Sequence, residues 1–132
     1  MKKLSNIGSF LGAVIVIMIL ISQPVLGAAA KLEKSITPLE NGNYMIKIKV
    51  TALVSGIYTL KLTDPQTSIV DVYAPRGWCM ITDGEDLLAR TSTAPINRGK
   101  TVEFLIHSTT EEIKYSWSVF GKLKQLGKPG VL

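Results

Sequence analysis

The residues best suited to soft-metal chemistry are one cysteine, one histidine and two methionines. Cys79 and Met80 are adjacent, His107 is the single histidine, and Met45 lies earlier in the chain. A blue-copper centre needs two histidines with a cysteine and a weak methionine, so the composition excludes it. An irregular Cu(I) site, or a thiol protein centred on Cys79, is retained as an alternative. Free cysteine is among the most buried residue types, so we expect Cys79 to be buried.

Hydrolysis would need a nucleophile beside a positioned base, or paired acids. His107 precedes Ser108, but neighbours in sequence do not form a triad. Acidic residues cluster at two turns, at Asp83, Glu85 and Asp86 and at Glu111-Glu112. Solvated turn charges explain both clusters, and neither has the ligand count of a dedicated Ca²⁺ site. The sequence therefore predicts a protein that is not an enzyme, with no cofactor and no catalytic or metal-binding residues.

The N-terminus has the layout of a secretory signal peptide. Lys2 and Lys3 precede an apolar core from Phe10 to Ile21, and small residues end at Ala30. The alternative is a membrane-anchored subunit with an uncleaved helix, because the 23 uncharged residues from Gly8 to Ala30 are long enough to span a bilayer. Either way, residues 1–30 predict a hydrophobic helix and an exported protein, secreted or extracytoplasmic, that is anchored in the cell membrane if the helix is retained.

The charge balance limits the kinds of partner. Thirteen basic and ten acidic residues follow position 30, which leaves a net charge of about +3 after removal of the leader. That charge permits weak contact with an anionic membrane surface but is too small to indicate nucleic acid. A single cysteine cannot form an internal disulfide, so the hydrophobic core must stabilise the domain alone.

Apolar residues recur at every second position through most of the remaining chain. The clearest case runs from Tyr44 to Leu53, and similar runs follow to Val119. This period indicates half-buried strands, and turn residues separate them every 8–12 residues or so. The sequence predicts an all-β protein, an antiparallel sandwich of seven or eight strands over residues 31–120, with Trp78 and Trp117 in its core. Residues 121–132 lose the alternation and predict a basic, flexible tail.

The segment Tyr73-Ala74-Pro75-Arg76-Gly77-Trp78-Cys79 interrupts this pattern near the middle of the chain. Proline and glycine stop one strand and redirect the chain, after which the strand pattern resumes. We interpret Pro75, Gly77, Trp78 and Cys79 as a structural corner in which Trp78 and Cys79 fill the core.

Two segments carry a family resemblance, namely residues 69–78 and residues 95–104. They read P-x-G-W and I-x-x-G-x-x-x-x-F, with Trp78 and Phe104 at their ends. This layout resembles the immunoglobulin-like domains of secreted and cell-surface prokaryotic proteins, over about a third of the chain. The resemblance implies a domain that binds, spaces or decorates, and it implies no catalytic residues. One cysteine does not fit the disulfide-bonded antibody type.

Apolar residues on the faces predicted to point outward suggest a surface for protein partners in the envelope or outside the cell. They are Ile57, Ile69, Tyr73, Leu105 and Phe120, and the nearby basic residues of the tail are Lys122 and Lys124. Edge strands of a sandwich can also accept a strand from another chain. The sequence thus predicts a binding or structural module, a surface or envelope component or an accessory subunit of a larger assembly.

Overall fold

The computed structural model describes residues 18–21, 28–63, 69–111, 116–122 and 125–131. These residues form ten strands and no helix. Accordingly, none of the described segments supplies a helix of the length and apolarity needed to cross a membrane. The prediction of an all-β, antiparallel fold is confirmed.

The ten strands are numbered in chain order. They are β1 (Met18–Ile21), β2 (Ala30–Pro38), β3 (Tyr44–Ala52), β4 (Thr59–Thr63), β5 (Ile69–Tyr73), β6 (Trp78–Asp83), β7 (Asp86–Thr91), β8 (Thr101–Ser108), β9 (Ser116–Phe120) and β10 (Gln125–Val131). One five-stranded sheet has the order β1-β2-β3-β8-β5, and the other has the order β10-β9-β4-β7-β6. Every pairing within them is antiparallel.

The core lies between the two sheets and follows from the period of two. The alternate residues Ile46, Ile48, Val50 and Ala52 of β3 are buried, as are Leu60 and Leu62 of β4. Trp78 of β6 meets Phe104 of β8 edge to face, with ring centroids 5.3 Å apart. Such a contact adds to the free energy gained from burying the rings. One inward row is unusual, because β2 places Lys34 between Leu32 and Ile36 with only 3% of its surface exposed.

The N-terminal helix is not supported. Its described part, Met18–Ile21, forms strand β1 and pairs with residues 33–36 of β2. The strand propensity of isoleucine and the free hydrogen-bonding edge of β2 favour this pairing over a lone helical turn. The rest of the predicted leader, residues 1–17 and 22–27, lies outside the described residues.

The prediction of a flexible C-terminal tail is wrong for Gln125–Val131. This segment forms β10 and pairs with β9, with an irregularity between Trp117 and Val119. Two glycines and a proline obscure its strand character in the sequence. Packing explains the glycine at position 130, because a Cβ atom there would overlap the indole of Trp117. The strand therefore uses glycine to approach a buried aromatic ring closely.

Three residues differ from their predicted inward or outward orientation, namely Ile57 and Ile69, predicted outward, and Val70, predicted inward. A bulge between Ile69 and Asp71 shifts the alternation of β5, so Ile69 packs against the core while Val70 faces outward. Ile57, predicted to face outward, is buried and forms an isolated bridge with Ile96. A single extra residue inverts the faces of a strand, which explains the error at Ile69.

Candidate functional site

The corner between β5 and β6 is fixed by hydrogen bonds around Trp78. Its backbone N–H donates to the carbonyl oxygen of Pro75 at 3.0 Å, and its indole Nε1 donates to that of Ala94 at 2.9 Å. Gly77 has φ +86°, and a Cβ there would lie 3.0 Å from the Ala94 Cβ. The hydroxyl of Thr91 donates to the Gly77 carbonyl at 2.7 Å. Positive φ and close packing both favour glycine at this position.

Cys79 is exposed, so the prediction that it fills the core is wrong. Successive residues of a strand point to opposite faces, and Trp78 takes the inward position. Cys79 therefore lies on the outer face of the second sheet, where its cross-strand partner is Arg90. Burial of the bulky Trp78 indole fixes which residues of β6 point inward, and this alternation places the Cys79 thiol outward.

The residues of the predicted soft-metal alternative are not brought together. Met45 and His107 are cross-strand partners on the outer face of the first sheet, where His107 Nε2 lies 3.0 Å from Asn43 Nδ2. Cys79 lies on the outer face of the other sheet, and Met80 packs against the core. The hydrophobic core separates the sulfur of Cys79 from the imidazole, so one chain cannot assemble this ligand set.

The predicted acid and hydroxyl clusters do not form catalytic pairs in the described part of the chain. Ser108 is buried, and its hydroxyl donates to the Thr110 carbonyl at 2.9 Å, while His107 faces the opposite side of β8. At the β6–β7 hairpin, Asp86 approaches Lys61 at 3.5 Å. Glu112 and the side chain of Asp83 lie outside the described residues. Among the described residues, no three His, Cys, Asp or Glu side chains are grouped for metal binding.

The residues predicted as one partner surface are divided by the fold. Tyr73 and Leu105 are cross-strand partners on the outer face of the first sheet, and Ile69 packs inward. Phe120 belongs to β9 in the other sheet, and the ammonium of Lys122 lies 5.6 Å from the centre of the Tyr58 ring. Lys124 lies outside the described residues. Of the predicted partner-surface residues, therefore, only Tyr73 and Leu105 lie side by side.

A different apolar surface appears on the side of the sandwich that holds the corner. Residues 74–77 join β5, the edge of one sheet, directly to β6, the edge of the other. Val70 and Tyr73 of β5 are 53% and 45% exposed, and Ile81 of β6 is 49% exposed. Tyr73 points to the outer face of the first sheet and Ile81 to the outer face of the second, so the two edges carry apolar groups on opposite sides of the sandwich. We call these three residues and the outer edges of β5 and β6 the edge surface. No described strand pairs with either outer edge.

Sequence reasoning missed two of the three residues of the edge surface. Ile81 was accessible to it, since the same alternation that buries Trp78 turns position 81 outward. Val70 was not, because the bulge that exposes it leaves no clear signal in the sequence. The protonation of Tyr73 is also affected by its neighbours. The negative charge of Asp71 raises the pKa of the Tyr73 phenol, and desolvation and the hydrogen bond to Asp71 raise it further. The phenol therefore stays neutral to higher pH than an ordinary tyrosine.

The remaining surfaces offer less to a ligand. The outer face of the first sheet carries exposed ion pairs, with Glu103 within 3.8 Å of Lys47 and 3.9 Å of Lys49. An open depression of about 220 Å³ is lined by Glu33, Lys34, Ser35 and Lys49. That volume is below the range typical of small-molecule sites. The edge surface is therefore the best candidate for function.

No known protein-family model matches this chain. No curated protein matches it either. The fold and the site define an antiparallel β-sandwich with an exposed apolar edge, and any functional conclusion rests on that geometry.

Proposed function

We propose that this chain is an exported, non-enzymatic β-sandwich that binds another protein through the edge surface. It would act as a component of the cell surface or envelope, or as an accessory subunit of a larger assembly. The observation that carries the proposal is that Val70, Tyr73 and Ile81 are exposed beside the outer edges of β5 and β6, which no described strand covers.

The physical chemistry of that juxtaposition supports protein binding. A free edge presents unpaired N–H and C=O groups that an extended segment of another chain can satisfy. Apolar side chains beside the edge supply the area that makes such pairing favourable. Tyr73 flanks the edge of β5 on the outer face of the first sheet, and Ile81 flanks the edge of β6 on the outer face of the second. Each edge therefore has exposed apolar area beside it for a pairing strand.

The strand order supports the immunoglobulin-like subclass. The run β2-β3-β8-β5 corresponds to the A-B-E-D order of that fold, and β10-β9-β4 corresponds to G-F-C. The hairpin β6–β7 extends the second sheet beyond β4. It follows β5 in the chain, whereas the variable-type domain inserts its extra strands before strand D.

Export is supported by the leader and by the packing of the residues that follow it. Ala29 and Ala30 are 1% and 2% exposed, and the Ala29 carbonyl accepts a hydrogen bond from Leu53 N at 2.8 Å. Ala29 and Ala30 are therefore part of the packed core. A signal peptidase that preserves the core would cleave before Ala28 or Ala29, among the small residues it prefers.

Site-specific photocrosslinking in producing cells tests the proposal. A photoreactive residue at position 70, 73 or 81 should yield a discrete adduct with a protein partner. The same residue at Leu53, which is exposed but lies outside the edge surface, serves as the control and should not. Intact mass of the same sample should show a mature N-terminus at Ala28 or Ala29.

Partner binding is then measured with the purified adduct partner. Val70→Ser and Ile81→Ser should each weaken binding, while Leu53→Ser leaves it unchanged, because only the first two remove apolar area from the contact. Equal adducts from position 53 and from the edge surface would contradict the proposal. So would a partner whose affinity ignores both edge substitutions.

A further inference from the structure

We infer that removal of the leader opens the outer edge of β2, and that a second copy of this chain pairs there in antiparallel register. The inference rests on the export part of the proposed function, because it requires cleavage after β1. It concerns the side of the sandwich opposite the edge surface, where β1 and β10 are the outermost strands.

Strand β1 is the only described element on the outer edge of β2. Its four residues pair with Glu33, Lys34, Ser35 and Ile36. Cleavage before Ala28 or Ala29 removes β1 and uncovers the outer edge of β2, while the same positions keep their pairing with β3. Strand β2 itself remains in place, because it pairs with β3 without irregularity from Ala30↔Ala52 to Pro38↔Tyr44. The mature protein would thus expose a regular nine-residue edge that already accepts an apolar strand.

The charges of β2 are self-complementary, which fits a second copy as the occupant. Directly opposed residues of antiparallel strands share a face, so a two-fold pairing is described by the residue at its centre. Centring on Leu32 sets Lys31 of each copy opposite Glu33 of the other. Centring on Glu33 would oppose two carboxylates, and centring on Lys34 would oppose two ammonium groups.

The inward-facing residues of β2 are also compatible with a pairing centred on Leu32. Pairing about Leu32 places Lys34, which is 3% exposed on the inward row, opposite the small Ala30 of the other copy. The inner row then continues from one sandwich into the other through the two Leu32 side chains. Registers shifted by a single residue would put the two cores on opposite faces of the joined sheet.

The test uses the processed protein collected outside producing cells, with its N-terminus read by intact mass. Sedimentation velocity across a concentration series should show a dimer. Lys31→Glu and Glu33→Lys should each weaken dimerisation roughly ten- to hundredfold, because each replaces attractive pairs with like charges. The double variant K31E/E33K restores opposite charges and should restore the dimer. Circular dichroism of each variant shows that the fold is retained.

Disulfide trapping reports the register directly. In a Cys79→Ser background, Lys31→Cys protein mixed with Glu33→Cys protein should give an intermolecular disulfide, since opposed Cα atoms lie close enough. Either protein alone should crosslink far less, because positions 31 and 31 are offset by two residues in this register.

Three results would overturn the inference: a monomer at every concentration, a dimer that responds equally to the single and double charge variants, or a mature mass that still contains Met18–Ile21. The proposed function fails separately. A monomer that still crosslinks a partner at position 70 overturns only the pairing of copies. A dimer without any adduct at the edge surface overturns only the partner-binding proposal.

Discussion

Replacing each buried tryptophan with phenylalanine should have unequal effects on stability. Both indoles lie in the core, but their N–H groups differ. Trp78 Nε1 donates to the Ala94 carbonyl, whereas Trp117 Nε1 has no hydrogen-bond partner in the described part of the chain. Trp78→Phe therefore removes a hydrogen bond, and Trp117→Phe removes a buried donor that is already unsatisfied.

The magnitudes follow from this difference. Both substitutions lose the area of one ring, so that cost largely cancels in the comparison. The hydrogen bond of Trp78 contributes about 1 kcal/mol net, and an unsatisfied buried donor costs about 1–3 kcal/mol. Trp78→Phe should therefore destabilise the protein by about 2 kcal/mol or more beyond Trp117→Phe. For a domain of this size the melting temperatures should differ by roughly 8 °C or more.

Urea denaturation followed by far-UV circular dichroism measures the two free energies of unfolding. Circular dichroism is preferred to fluorescence because each variant loses one of the two tryptophans. An unchanged slope of free energy against urea shows that the unfolded states are comparable. Equal losses, or a larger loss for Trp117→Phe, would refute the assignment of hydrogen bonds, because the indole of Trp117 would then have a stabilising polar contact.

Three further predictions concern other parts of the sandwich. Gly130→Ala should lower the free energy of unfolding by about 1–3 kcal/mol in urea denaturation, because the added Cβ overlaps a buried ring. The control Gly121→Ala should be near neutral, because its Cβ meets only ordinary contacts. Equal effects would count against the close packing of β10. Native Cys79 should react with iodoacetamide without denaturant because it is exposed, and protection until unfolding would contradict its outward position. Asp71→Asn should lower the pKa of Tyr73 in a titration followed by NMR, because the carboxylate raises it; an unchanged pKa would show that the two side chains do not interact.

Much of the fold was predictable because alternation carries strong information in half-buried strands. Strand β3 is the clearest example, since Ile46, Ile48 and Val50 alternate with lysines and are all buried. The turn at Asp83-Gly84 was also predictable, and the hairpin forms there with Gly84 at φ +65°. Both signals are local, so they do not depend on which strands meet in space.

Other features depend on tertiary contacts that the sequence does not reveal. Strand β10 looks like a loop until the ring of Trp117 explains Gly130. The bulge in β5 exchanges the faces of Ile69 and Val70. Cys79 is a different kind of error, because consecutive residues of a regular strand point to opposite faces, so the inward Trp78 places Cys79 outward. The bulge explains why Val70 of the edge surface was missed, and the separation of Cys79 from His107 required the order of the sheets.

The pairing of β3 with β8 has a consequence for the folding rate. Thr51 and Thr101 are 50 residues apart in the chain, yet they are cross-strand partners at one end of the ladder between β3 and β8, which lie in the middle of the first sheet. A long loop must close before this central pair gains any contact free energy, whereas the β6–β7 hairpin can form locally. We expect folding on the millisecond-to-second timescale typical of sandwiches with nonlocal pairing. If the chain is exported, as proposed, it is exposed to proteases until β3 and β8 pair, so the rate of that closure governs how long it stays vulnerable.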